Sequence, residues 1–227
     1  DTDGDGLPDT VVSGCTSYSV TAYTSFEDPF TNGAKYYDTG DQSLSRYLWN
    51  NANEPHIAHN QTTGSEMGFS LFYRSTGGVG LTDGDFFGTA NYTGTVGNYT
   101  DGAQGYQMGD VDGSTTLILD SVTADSMALD IFVQGGSSNS YEASDNLIVR
   151  FVGASSTVEL VNVTGATGGS NNGGFATYMG VWTSLSGDIS SLGQGNLEIE
   201  FISNSQTESV YIDNVAFTSS TQLVEDT

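Results

Sequence analysis

The sequence predicts an all-β fold, a jelly-roll β-sandwich of two antiparallel sheets with about ten strands. Short runs of apolar, β-branched and aromatic residues recur about every ten residues, and clusters of Gly, Asn, Asp and Ser separate them. Helical periodicity is nearly absent. With 30 Gly but 3 Pro in 227 residues, the connections are expected to be turns and irregular loops.

The strand signal is clearest where apolar and polar residues alternate. In the segment 197–202 the apolar residues share one face and two glutamates the other, and 147–152 repeats the pattern. We therefore expect Phe132, Phe151 and Phe201 in the core. The segments 31–65 and 77–113 are only weakly strand-like and are expected to form long loops that carry function or hold ions. The predicted strands are 19–26, 67–74, 115–122, 127–133, 147–152, 158–163, 197–202 and 210–217.

The first nine residues carry alternating carboxylates that predict a calcium site. They are Asp1, Asp3, Asp5 and Asp9. Calcium takes about six to eight oxygen ligands, and a short loop supplies them when alternate side chains turn inward and a glycine permits a sharp bend. Val12 stands where an EF-hand has its bidentate Glu, so the run resembles instead a thrombospondin type-three repeat, whose aspartates bind calcium. The alternative is a flexible acidic linker that uses Asp-Gly as turn chemistry.

The charge balance points to cations and away from anionic partners. The chain has 28 Asp and Glu against 4 Lys and Arg, a net charge of -24 at pH 7. Such a density repels itself in a compact state, which bound cations would relieve. It argues against nucleic acid and against membrane insertion or anionic membrane surfaces. The chain is 36% hydrophobic and 11% aromatic, which is enough to build a core.

The single cysteine, Cys15, cannot form an internal disulfide. No signal peptide or membrane-length apolar run is present. We expect an extracellular or cell-surface protein, a mature product or a piece of a longer secreted one. This expectation depends on the calcium pattern and the low Lys content.

The two ends of the β region carry a family resemblance. Phe26-Glu27 closes the first predicted strand, and Tyr211-Ile212-Asp213-Asn214-Val215 lies in the last. This pairing resembles jelly-roll carbohydrate-binding modules of families four and twenty-two and the related MAM domains. The resemblance implies a structural calcium ligated by Glu27 and Asp213, with residues 16–218 as the sandwich, 1–15 as a calcium-binding lead-in and 219–227 as a tail or linker. The alternative for Asp213 is a solvent-facing edge strand.

Two interior Asp-x-Asp pairs are further candidates for calcium. They are Asp83 with Asp85 and Asp110 with Asp112. Segments similar to 66–69 and 78–85 occur in modules of large secreted bacterial proteins. The alternative is that each pair starts an ordinary hairpin turn.

No catalytic motif stands out, so we predict a protein that is not an enzyme. His56 and His59 lie three apart in a predicted loop, and Pro55 argues against the helix that a zincin pair needs. We interpret both as surface histidines. No G-x-S-x-G elbow, P-loop or Cys/His pair appears, although paired carboxylates of a glycosidase have no sequence signature.

Aromatic residues in loop segments predict a platform for sugar rings. The candidates are Trp49, Tyr106, Tyr141 and Trp182. Aromatic rings stack on the apolar faces of sugars while neighbouring amides and carboxylates bind the hydroxyls. The alternative is that each ring plugs one end of the sandwich.

Three functions follow from these patterns. The first is a calcium-stabilised module that binds a polysaccharide or cell-surface glycan, or mediates adhesion. The second is a structural subunit or spacer of an extracellular fibre that contacts neighbouring copies or domains. The third is a glycan-active enzyme.

Overall fold

The computed structural model describes residues 16–28, 56–59, 66–75, 86–135, 140–167, 171–205 and 207–222. These residues form two antiparallel six-stranded sheets, with one helical turn, α1 (Thr93–Val96), and a short 3-10 helix, Gly173–Thr177. No helix in these ranges is long and apolar enough to cross a membrane. The strands are β1 (Thr16–Thr24), β2 (His56–His59), β3 (Phe69–Ser75), β4 (Phe86–Ala90), β5 (Gly105–Gly109), β6 (Gly113–Leu119), β7 (Ser126–Val133), β8 (Asn146–Gly153), β9 (Thr157–Thr164), β10 (Trp182–Asp188), β11 (Gly195–Ser203) and β12 (Ser209–Gln222).

The chain passes repeatedly between the two sheets, as in a jelly roll. Sheet A has the order β10-β7-β12-β5-β4, and β1 pairs with β12 beyond β5. Sheet B has the order β2-β3-β6-β11-β8-β9. The connections β5–β6, β7–β8 and β11–β12 therefore each carry the chain from one sheet to the other.

The core lies between the sheets because alternate residues of each strand turn inward. Along β6 and β11 buried residues alternate with half-buried ones, as the sequence pattern predicts. Phe151 and Phe201 are buried in this main core, which confirms their predicted place. Phe132 is also buried, but it belongs to a second, smaller cluster with Val96, Tyr99 and Tyr211 on the outer face of sheet A.

The all-β sandwich is confirmed, and each of the eight predicted strands overlaps a strand of the structure. The prediction of long loops over 31–65 and 77–113 was wrong where these segments form β2, β4 and β5, and β10 was also missed. His56 and His59 accordingly lie in a strand rather than a loop. Glycines in β4 and β5 and serines in β10 hid the strand pattern. At the carboxyl end, β12 continues to Gln222, beyond the predicted boundary at 218.

Candidate functional site

Glu27 anchors the loop that leads into β5. It follows β1, and its Oε1 accepts hydrogen bonds from the backbone N–H groups of Ala103 (2.6 Å) and Gln104 (2.8 Å). Gly102 has a φ of 66°, and a Cβ added there would lie 2.2 Å from Glu27 Oε1. The approach of this loop to the carboxylate therefore depends on a glycine.

Asp213 anchors the same loop from β12. Its side chain is buried, and its Oδ2 accepts hydrogen bonds from Thr100 N (2.7 Å), Thr100 Oγ1 (3.0 Å) and Asp101 N (2.9 Å). Burial raises the pKa of Asp213 to about 6 even though these hydrogen bonds act to lower it. The carboxylate is thus inside the protein, which excludes the solvent-facing alternative.

The structure brings the two predicted ligands Glu27 and Asp213 to one loop, residues 100–104, and we call this arrangement the clasp. It joins the end of β1 to the middle of β12. Its side-chain donors are oxygens, which is the donor set that calcium prefers. Of the four Lys and Arg in the chain, the structure describes the side chain of Arg150, which pairs with Glu198 and Glu200. In this structure both carboxylates accept hydrogen bonds from backbone N–H groups of the loop, and a calcium ion at the clasp stays a prediction.

Asp110 and Asp112 form the connection from β5 to β6. Both have a positive φ, 53° and 45°, and Val111 between them is buried. Aspartate tolerates this backbone conformation better than most residues, so the pair serves as turn chemistry here. Metal binding by the pair stays a prediction. Several predicted site residues lie outside the described residues, namely Asp1, Asp3, Asp5, Asp9, Asp83, Asp85 and Trp49.

Two of the four predicted platform aromatics are in the interior, so their assignment to an exposed platform was wrong. Tyr106 is 0% exposed on β5 and contacts the rings of Phe26 and Phe69 at 5.4 and 5.3 Å. Tyr141 is also buried and stacks on Phe175 at 4.2 Å. The glycine-rich sequence around Tyr106 suggested a loop, but strand pairing turns its ring into the core.

Trp182 is half-buried at the start of β10, on the outer face of sheet A. Its ring contacts those of Phe132 at 5.6 Å and Tyr99 at 6.0 Å, and its Nε1 donates to Asn98 O at 3.0 Å. It is the one predicted platform residue that the described ranges place at the surface. Its contacts with Phe132, Tyr99 and Asn98 also pack the ring against sheet A, so it contributes to stability.

A groove with a volume of about 470 Å³ lies on the outer face of sheet A, where the carboxyl end of β10 meets β7 and β12, and Trp182 at the start of β10 is not among its lining residues. Strand register places Trp182, Ser184, Ser186 and Asp188 of β10 on this face opposite residues of β7. Asp130 of β7 accepts hydrogen bonds from Ser184 Oγ (2.5 Å) and Asn214 Nδ2 (3.0 Å). Apart from Met127, the residues that line the groove are small or polar: Ser126, Met127, Ala128, Ser186, Gly187, Asp188, Ala216 and Thr218. The sequence did not reveal this sheet A groove because β10 was not predicted.

Three further carboxylates could hold a metal ion. One carboxylate oxygen from each of Glu142, Asp145 and Glu208, here called the acidic trio, lies within 4.8 Å of the other two. Glu142 is exposed, whereas Asp145 and Glu208 are 0% exposed. A glycosidic bond cannot reach buried carboxylates, so these residues do not form the exposed pair that glycoside hydrolysis requires. No sequence pattern indicates the trio, because Glu208 lies in a different connection from Glu142 and Asp145.

Comparison with known proteins adds a few distant structural likenesses. No family model matches the sequence, and no curated protein matches it. The K2 cleaved adhesin domain of Lys-gingipain is 14% identical with a TM-score of 0.40, over 66% of this chain and 87% of that one. A carbohydrate-binding module of the β-sandwich superfamily is 11% identical with a TM-score of 0.35, over 93% and 87%. The family 11 carbohydrate-binding module of a Clostridium thermocellum cellulase is 11% identical with a TM-score of 0.29, over 63% and 87%. Likenesses of this strength carry no argument about what this chain binds.

Proposed function

We propose that the protein is a non-catalytic, calcium-stabilised extracellular module that binds polysaccharide, or mediates adhesion, as part of a larger secreted or surface protein. The observation that carries this proposal is the sheet A groove formed by β10, β7 and β12. It combines small side chains, the hydrogen-bonded hydroxyl groups of Ser126 and Thr218, and a volume in the range of ligand sites.

The groove has the parts that a sugar chain needs. Trp182 lies on the same face of β10 but outside the groove lining, so a sugar chain would stack on its ring only by extending along the strand. Ser184, Ser186 and Asp188 offer hydroxyl and carboxylate groups along β10. The small residues Ala128 and Ala216 in the lining let a ligand approach the sheet closely.

The charge of the groove favours a neutral polysaccharide. Asp188 lines it and Asp130 lies beneath Ser184, and the whole chain carries a net charge of -24. A sulfated or uronate-rich polymer would be repelled by this surface. We therefore propose neutral glycans as the ligand class.

Affinity electrophoresis in gels containing soluble neutral polysaccharides tests the proposal. Ser186→Trp should abolish retardation because the new ring fills the groove at an exposed position. Phe72→Ala removes an exposed ring from β3 of sheet B and serves as the control that should keep binding. Retardation of Ser186→Trp equal to that of the unaltered protein would exclude the groove, and no retardation on any polysaccharide would favour the fibre alternative.

A calcium ion at the clasp would act on structure rather than on chemistry. Glu27 and Asp213 would join the loop 100–104 to the two strands that carry the chain ends of the sandwich. Ligands that bind only the folded state stabilise it in proportion to the logarithm of their concentration. We therefore propose that calcium raises the stability of the sandwich.

One observation favours a structural spacer as the second candidate function. In β1, Tyr18 is 74% and Val20 61% exposed, although both lie in a strand. In the part of the chain that the structure describes, β1 pairs with β12 on one edge. A neighbouring domain or copy could add a strand at the other edge. Calcium-dependent assembly seen by light scattering, without binding to any polysaccharide, would support this function.

A further inference from the structure

The acidic trio lies where two connections cross between the sheets at one end of the sandwich. Glu142 and Asp145 belong to the connection from β7 in sheet A to β8 in sheet B. Glu208 belongs to the connection from β11 in sheet B to β12 in sheet A. An ion held by all three would therefore bind the two crossings to each other.

Glu208 has a buried oxygen to which no described residue donates a hydrogen bond. The side chain is 0% exposed, its Oε2 accepts a hydrogen bond from Asn204 N at 3.1 Å, and its Oε1 has no donor among the described residues. Burying a carboxylate oxygen without a partner carries a substantial free-energy cost. The same oxygen belongs to a carboxylate that shares a space with those of Asp145 and Glu142. A cation in that space would supply what Glu208 lacks.

The connection that carries Glu142 and Asp145 is fixed by its own hydrogen bonds. Asn172 Oδ1 accepts from Ser140 N at 2.8 Å and from Tyr141 N at 3.1 Å, and Gly165 N donates to Asp145 O at 3.1 Å. A Cβ added to Gly165 would lie 2.0 Å from the carbonyl oxygen of Glu142, so the two backbones are in close contact. These contacts fix the backbone that carries Glu142 and Asp145 before any ion binds, which lowers the cost of binding.

Protonation is the competing way to relieve the buried charge. Burial raises the pKa of Glu208 to about 8 and that of Asp145 to about 6. The charge of Asp145 adds to the rise for Glu208, and the charge of Glu142 adds to the rise for Asp145. A proton on Glu208 neutralises one charge without linking the two connections. The two explanations differ in a measurable way, since only a cation site responds to added metal.

We propose that Glu142, Asp145 and Glu208 bind a hard divalent cation, calcium, which joins the β7–β8 and β11–β12 connections. The donor set is all oxygen, and no histidine or cysteine of the described residues belongs to it. Glu142 is exposed and opens the cluster to solvent. The site is separate from the clasp, because Asp213 lies five residues beyond Glu208 on β12, roughly 16 Å along an extended strand.

Calorimetric titration of the full chain with calcium tests this proposal through the number of ions bound. Chelator-treated protein is compared with Glu142→Gln, Glu208→Gln and the control Glu159→Gln, which changes an exposed glutamate of β9. We expect each trio variant to bind one ion fewer than the unaltered protein, and the control to bind the same number. The loss should add to that of Asp213→Asn if the clasp holds a separate ion.

Glu142→Gln keeps the test decisive if Glu208→Gln fails to fold, because Glu142 is at the surface and its replacement leaves the interior unchanged. Equal numbers and affinities of bound calcium in the unaltered protein and in Glu142→Gln would overturn the proposal. So would a Glu208→Gln variant that folds and keeps every calcium ion, since protonation would then account for the buried oxygen.

Discussion

Two buried carboxylates, Asp213 on β12 and Glu208 just before that strand, are in opposite circumstances, and the contrast shows what a buried charge requires. Asp213 receives four hydrogen bonds, three at Oδ2 from Thr100 and Asp101 and one at Oδ1 from Asn214 N. The Glu208 carboxylate accepts one hydrogen bond, from the backbone N–H of Asn204 to Oε2, and no described residue donates to its Oε1. Backbone donors thus stabilise the first carboxylate, whereas the second depends on a proton or a cation.

The largest effect on stability should come from removing the Asp213 carboxylate, which accepts the hydrogen bonds of Thr100 and Asp101 in the clasp. Asp213→Ala leaves the N–H groups of Thr100 and Asp101 without their charged partner, and we expect a loss of about 3 kcal/mol or more in the free energy of unfolding. Urea denaturation in chelator measures it. A loss well below 1 kcal/mol would mean that the loop 100–104 is held by other contacts.

Calcium should add about 2.7 kcal/mol for each site at a hundredfold excess over its dissociation constant. Thermal melts with calcium and with chelator measure the gain. We expect Asp213→Asn and Glu142→Gln each to lose part of it. Asp3→Asn should lose little if residues 1–15 form the separate lead-in that the sequence predicts. A melting temperature that calcium leaves unchanged would contradict both sites.

Removing one donor from the clasp should have a smaller effect. Thr100→Val deletes the hydroxyl that donates to Asp213 Oδ2 at 3.0 Å and keeps the backbone N–H. We expect a loss of about 1.5 kcal/mol in urea denaturation, in the range for a hydrogen bond to a charged group. Thr116→Val on β6, a half-buried threonine of sheet B, is the control with an equal change of side chain. A loss no greater than that of Thr116→Val would show that the Thr100 hydroxyl does not stabilise the clasp.

The acidic trio should make the metal-free protein lose stability as the pH rises. The pKa values of Asp145 and Glu208 in the folded protein, about 6 and about 8, lie above the ordinary 3.8 and 4.5. Folding therefore binds protons, so this contribution is complete below about pH 4 and is lost as the pH passes 6 and then 8. In chelator, the unaltered protein should lose stability relative to Glu208→Gln between pH 5 and 8.5. If the difference in the free energy of unfolding between the two proteins did not change with pH, the Glu208 carboxylate would not be buried and unpaired.

The sequence predicts the sandwich well because strands with clear alternation need no long-range information. The eight predicted strands are in place, whereas β4, β5 and β10 are stabilised by their neighbours more than by their own pattern. Trp182 illustrates the limit, since its ring packs on Phe132, a neighbour that only the pairing of β10 with β7 supplies.

The site was predicted in part for the same reason. Glu27 and Asp213 lie in recognisable local sequence patterns, and in the structure both carboxylates bind the loop 100–104. The trio has no such pattern, because Asp145 and Glu208 meet only when two crossings between the sheets are in place. Tyr106 was misassigned because a glycine-rich segment does not reveal which way its ring turns.

The most direct test of the contrast between Asp213 and Glu208 is the direction in which a substitution of each changes the stability of the protein. In chelator near pH 8.5, above the raised pKa of Glu208, the free energy of unfolding is measured for Asp213→Asn and Glu208→Gln. We expect Asp213→Asn to destabilise the protein, because it removes a charged acceptor from donors that depend on it. We expect Glu208→Gln to stabilise it, because it removes an unpaired buried charge. Destabilisation of similar size in both variants would contradict the account.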